Sequence, residues 1–212
     1  MEFFGYLQML LHDTIGLVTI LNPVAAAAIM ISTAQEGFSS RDARSIGQKA
    51  AMTVLIASLS TVFFGNLIFE LFGINTSSVM VIGGIILLLM SVHMVQGRIS
   101  ETNHTPEESE AAAEKENIAV IPIGIPILFG PGVISTLMVF KAKASTLLET
   151  LILFGAVIIS TAVVYAVLLN AVYLVRMLGV NGLKIMTRLM GLVVGAIASQ
   201  FVIYGVQGLW HA

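Results

Sequence analysis

Two short stretches of this 212-residue chain set helix breakers inside apolar runs: LNPVA, at 21 to 25, and GPG, at 130 to 132. Pro23 has no N–H to offer the carbonyl of Thr19 and disfavours a helical conformation at Asn22, so one helix ends or kinks there. Asn before Pro is also how a helix begins. The Asn22 amide oxygen can accept from the N–H of Ala25 or Ala26, with Pro23 as the first helical residue. Gly130 and Pro131 repeat the pattern, and Pro122 and Pro126 loosen the turns before them. Such a break supplies ionic recognition from the backbone. The free N–H groups of Val24 to Ala26 and of Gly132 to Ile134 suit an anionic group, and the orphan carbonyls around Ile20, Leu21, Leu128 and Phe129 suit an ammonium. A ligand with both a carboxylate and an ammonium uses both ends. Small side chains at Ala25 to Ala28, Ser135 and Thr136 leave space beside the backbone or let helices pack closely. Gln200, among Gly195, Ala196, Ala198 and Ser199, is the best polar side chain for such a cavity.

Ionisable residues in or near apolar spans are the next candidates, because each is costly in lipid. Asp13, before Pro23 and toward the mouth of the first span, and His93, late in the third, are candidates for H⁺ or Na⁺ coupling; an interfacial place explains each as well. Glu70 and Arg188 fall at span ends, where solvation and charge asymmetry account for them. Asn170 needs no more than an interhelical hydrogen bond. There is no cysteine, and the four histidines are too scattered for a local metal motif, so no metal or other cofactor is expected. No paired carboxylates and no partnered nucleophile suggest an enzyme.

The elements that must hold these residues are membrane helices. The chain is 57% hydrophobic and 10% charged with a mean hydropathy of +0.97, far from the soluble average of about 25% charged. A net charge of -2 without a basic stripe argues against nucleic acid as a partner. A helix needs roughly 20 apolar residues to cross the hydrocarbon core. Six segments qualify, at about 7–31, 49–71, 77–97, 118–140, 147–173 and 186–209. The N-terminus lacks the basic region of a cleaved signal and reads as a retained span. Eight Lys and Arg fall on one side of these spans and only Lys141 and Lys143 on the other, which puts both termini on the periplasmic side of a bacterial inner membrane.

The segment 98–117, with six of the ten Glu, reads as a solvated cytoplasmic linker. It divides the chain into 1–97 and 118–212, which repeat in order: NPV and GPG, FGIN and LGVN, Gly84 and Gly191, VQG and VQG, at offsets of 108, 106, 107 and 111. A unit of three spans enters the membrane the second time upside down. The expected fold is therefore an all-α integral membrane protein of two inverted three-helix repeats, with helices one and four broken near the midplane. Inverted repeats and broken helices characterise secondary transporters. A single Pro in a membrane helix is more often a packing kink, and the paired breaks reverse that preference. Gly83 and Gly84, with Gly191 and Gly195, suit close helix packing within the chain or in a homo-oligomer.

NPVAAAAIM, FGIN leading to VIGGIILLLMSVHMVQG, IAVIPIGIPILFGPGVIST, and LGVNG leading to RLMGLVVGAIASQF together resemble the MarC family of prokaryotic inner-membrane proteins over nearly the whole chain. The resemblance implies membership of the lysine-exporter superfamily and transport of small neutral amino acids such as glycine and alanine. It places the substrate site at Asn22, Pro23, Gly130, Pro131 and Gly132. Ala25 stands where many relatives carry Gly after NPV, which narrows the expected cavity by a methyl group. The alternatives are an exporter of another small metabolite or a drug, and a channel-like or structural membrane protein without transport activity. Import and export look alike in the sequence.

Overall fold

The computed structural model describes residues 2–32, 39–97 and 119–210, and the expected linker lies outside them. The chain opens with α1 (Glu2–Leu21) and α2 (Pro23–Ser32), joined through Asn22 alone. A long α3 (Ser40–Phe72) begins in a capping box. There the Ser39 N–H donates to Asp42 Oδ2 at 2.9 Å and the Asp42 N–H to Ser39 Oγ at 3.3 Å. Asn75 caps α4 (Thr76–Gln96), its side chain accepting from the Ser78 N–H at 2.7 Å. After α5 (Ala119–Leu128) and α6 (Pro131–Lys143), a second capping box at Thr146 and Glu149 starts α7 (Leu147–Leu169). The chain ends in α8 (Ala171–Trp210), interrupted by non-helical backbone at Gly179. Every element among the described residues is helical.

Among the described residues, five helical stretches are long and apolar enough to cross a membrane: Phe4–Ser32, Arg41–Gly65, Thr76–Gln96, Leu147–Leu169 and Asn181–Trp210. The sequence leads one to expect a sixth at 118–140, but the structure divides that region into α5 and α6. The cause is proline: Pro122, Pro126 and Pro131 each lack an N–H, and α5 widens to a π-helical turn in which the Phe129 N–H reaches the Gly124 carbonyl at 2.9 Å.

Helices of one half pack mainly on helices of the other. The first helix, α1 with α2, lies on α7 and α8; α5 and α6 lie on α3 and α4; α3 meets α7, and the antiparallel pair α4 and α8 forms the most extensive interface. Apolar burial drives little of this where lipid competes, so close backbone approach must hold the pair. A methyl group on Gly84 would fall 2.7 Å from Val202 Cγ2 and 2.8 Å from the Ala198 carbonyl. One on Gly191 would fall 2.8 Å from Met94 Cβ and 3.1 Å from Val95 Cγ2, beside the bond that Ser91 Oγ donates to the Gly191 carbonyl at 2.8 Å. The glycines thus pack α4 against α8 within one chain.

The FGIN and LGVN turns each hold a glycine at positive φ but in different conformations: Gly73 is left-handed at φ 63°, ψ 28°, and Gly179 is extended at φ 62°, ψ 176°. No atom lies within 4 Å of a Cβ built on either. Gly73→Ala is therefore expected to lower stability by about 1–2 kcal/mol through left-handed strain, and Gly179→Ala by about 1–3 kcal/mol because its conformation is essentially confined to glycine, each read as a lower melting temperature of the purified protein. An unchanged melting temperature would remove the requirement for glycine.

Candidate functional site

The first break forms as the Asn-Pro chemistry dictates. Asn22 is buried and adopts φ of 46°, a left-handed conformation that asparagine tolerates better than other non-glycine residues. Its own N–H still bonds the Val18 carbonyl at 3.1 Å. Its amide oxygen accepts from the Ala25 N–H at 3.3 Å, and its carbonyl accepts from the Ala26 N–H at 3.2 Å. Two of the three donors expected to face a ligand are thus engaged by Asn22 itself. Only Val24, half-buried, has no backbone acceptor there, and Pro23 and Ala25 are buried beside it.

The second break is built differently. Gly130 offers no side-chain cap to α6, and its carbonyl takes the N–H groups of Val133 at 3.0 Å and Ile134 at 3.2 Å. The N–H of Gly132 is left without an intrahelical acceptor. At this break the Pro131 ring is exposed and Gly130 half-buried, whereas Gly132, Ser135 and Thr136 are buried.

Tertiary packing brings the two breaks together. A methyl group on Gly132 would lie 3.8 Å from Ile20 Cγ2 and 2.7 Å from Leu87 Cδ2 of α4. One on Gly83 would meet Ser135 Cβ at 2.6 Å. Thr136 Oγ1 donates to the Gly132 carbonyl at 2.8 Å, so that hydroxyl is already committed to the helix. Leu87 and Gly83 are site neighbours that sequence reasoning missed; the only signal was the paired glycine in the third span. Gln200 stands on a different helix from both breaks. It lies on the exposed face of α8, with Ala198 and Phe201 turned inward instead. His93 is half-buried in the last turn of α4, six residues past Leu87 and thus about 9 Å along the axis.

Asp13 is more enclosed than a residue at the mouth of a span. Its side chain is 6% exposed, against 72% for His12, whose Nδ1 lies 3.1 Å from Asp13 Oδ1. Around it, the His12 ring stands 5.8 Å from that of Phe140, and Ser160 Oγ of α7 donates to the Thr14 carbonyl at 3.3 Å. The Lys143 ammonium lies 5.9 Å from the Phe201 ring centroid and 5.8 Å from that of Tyr204.

The MarC model for integral membrane proteins matches residues 7–210. A UPF0056 membrane protein of Aquifex aeolicus is 33% identical over 99% of this chain and 96% of its own length. One of Methanocaldococcus jannaschii is 35% identical over 91% and 93%, and the UPF0056 membrane protein YvbG of Bacillus subtilis is 30% identical over 96% of each chain. No solved structure matches. With a match that runs from α1 to the end of α8, through both breaks and all five apolar spans, the chain belongs to the MarC family of integral membrane proteins.

Proposed function

We propose that this protein is a secondary transporter of small neutral amino acids, of the glycine and alanine type, working by alternating access between its two broken helices. The observation that carries the reading is the meeting of the breaks, with Gly132 against Ile20 and its N–H free of an intrahelical acceptor. In this reading the substrate carboxylate binds at the Gly132 end of α6, where the half-helix dipole is uncapped. The ammonium faces the carbonyl end of α1, where Pro23 leaves the Thr19 carbonyl without a helical donor. Asn22 holds the first break open, and Val24, Ala25 and Ser135 bound the space.

Two observations support an inverted repeat with six crossings, α5 and α6 together making the fourth. Gly84 and Gly191, Ser91 and Ala198, and Val95 and Val202 are each 107 positions apart. Gly84 meets Ala198 and Val202, and Gly191 meets Ser91 and Val95, the exchange a two-fold axis between α4 and α8 requires. The charge asymmetry then puts both termini on the periplasmic side of the inner membrane.

The tight seat of Gly132 on Leu87 favours a second reading, in which the breaks only aid packing in a structural membrane protein. Counterflow of labelled alanine or glycine in proteoliposomes decides between them. Saturable uptake above empty vesicles is expected, and Pro131→Ala is expected to lower it at least about tenfold, the equivalent of about 1.4 kcal/mol. No uptake of any amino acid would leave the packing reading standing; uptake unchanged by the substitution would remove the second break from the site.

A further inference from the structure

One carboxylate is buried in the first span without a full set of partners. Asp13 Oδ1 faces His12, but Oδ2 has no hydrogen-bond partner, and the buried hydroxyl oxygens of Thr14 and Thr161 have none either. The bond from Ser160 to the Thr14 carbonyl puts this stretch of α7 against the same turn of α1. An ionised carboxylate with a bare oxygen in such a place is costly, and buried polar atoms left unpaired are uncommon. A proton on Oδ2 removes the charge and turns an orphan acceptor into a donor.

We propose, resting on the transport reading above, that Asp13 is the group that carries the coupling proton, loaded while α1 is sealed against α6 and α7 and released when α1 moves. The charged and titratable groups around it oppose a bound metal ion. His12 stands on its own helix at 3.1 Å, and Lys143 of α6 acts on it electrostatically. Lys141 of α6 is turned to Thr150 at 3.1 Å. Glu149 of α7 is engaged in its capping box, Tyr165 lies further along α7, and Tyr204 of α8 stands beside Lys143. Two cation-forming side chains repel a bound metal cation; they also favour an ionised carboxylate, against which stand the burial of Asp13 and its bare Oδ2. His12, largely exposed, gives the proton its entry on that side.

Motion of Asp13 follows from the hinge. It lies nine residues before Asn22, about 14 Å along a straight half-helix. The turn at Asn22 is a single left-handed residue, so rotation there carries Asp13 out of its packing while α2 stays on α8. One proton then crosses per cycle: taken up by the Asp13 carboxylate as an O–H bond, and lost from it to water on the opposite side.

The chain contains only two aspartates, Asp13 and Asp42, which makes a direct test practicable. The wild-type protein, labelled with ¹³C at the aspartate carboxyl and reconstituted in lipid vesicles, is read by solid-state NMR at neutral pH. One carboxyl signal of a protonated acid and one of an ionised carboxylate are expected, the latter from Asp42, which accepts from the Ser39 N–H. Two ionised signals would overturn the proposal whether or not transport is found. In parallel, Asp13→Asn is expected to keep alanine counterflow within about twofold of wild type while losing accumulation driven by a pH gradient. Accumulation equal to wild type would overturn the proposal; loss of counterflow in the wild type as well would sink the transport reading instead, and the NMR result would stand alone. Wild-type accumulation driven by a sodium gradient and indifferent to pH would also overturn it.

Discussion

Asn22→Ala is expected to lower stability by about 2–3 kcal/mol, about 1 kcal/mol from the lost cap and about 1–2 kcal/mol from alanine at a left-handed position. The first contribution follows from the bond between the Asn22 amide oxygen and the Ala25 N–H, the second from φ of 46°. Asn22→Gly separates them. Glycine adopts the left-handed conformation without strain and caps a helix only a few tenths of a kcal/mol less well, so it should recover most of the loss. Melting of the purified proteins reads the order wild type, Gly, Ala. Counterflow should follow it, with the alanine variant reduced at least about tenfold, since each 1.4 kcal/mol off the competent conformation costs that factor. Equal melting of the alanine and glycine variants would show that the backbone at Asn22 carries no strain. Equal counterflow in all three would separate the break from transport.

The second large effect is expected where α4 meets α8. Gly84→Ala puts a methyl group 2.8 Å from the Ala198 carbonyl and 2.9 Å from the Val202 nitrogen. Backbone atoms cannot turn aside as a flexible side chain does, so the helices must separate, at about 1–3 kcal/mol for an overpacked contact. Separation also stretches the bond from Ser91 to the Gly191 carbonyl. Gly191→Ala, against Met94 Cβ at 2.8 Å and the Val95 nitrogen at 3.1 Å, is expected to cost a similar amount if the two sites are related by two-fold symmetry. Gly5, with nothing within 4 Å, supplies the control: Gly5→Ala should stay within about 0.5 kcal/mol of wild type. Melting temperatures of the three variants check this. A Gly84→Ala protein as stable as Gly5→Ala would mean that α4 and α8 are free to separate there.

The sequence by itself determined the breaks, because they are local chemistry. Pro23 and Pro131 cannot donate and Asn22 can cap, whatever surrounds them, so α2 and α6 begin where the residue types require. Length and apolarity likewise settle five of the spans, and the turns at Gly73 and Gly179 follow from glycine beside a helix end. The region 118–140 was less legible, since three prolines weaken each other's turns and the backbone relaxes into the wide helix of α5. Tertiary structure decided which side of a helix meets a neighbour. Gln200 and Asp13 are both polar residues in apolar helices, yet one is exposed and the other buried, because rotation of a helix about its axis is set by the packing of its small and large residues, not by any one polar group. The same packing turned the Gly83 and Gly84 pair into two contacts, one on Ser135 of α6 and one on α8, and brought Gly132 to Ile20 across more than a hundred residues of chain. Such contacts depend on how whole helices fit together, and no short-range pattern in the chain records them.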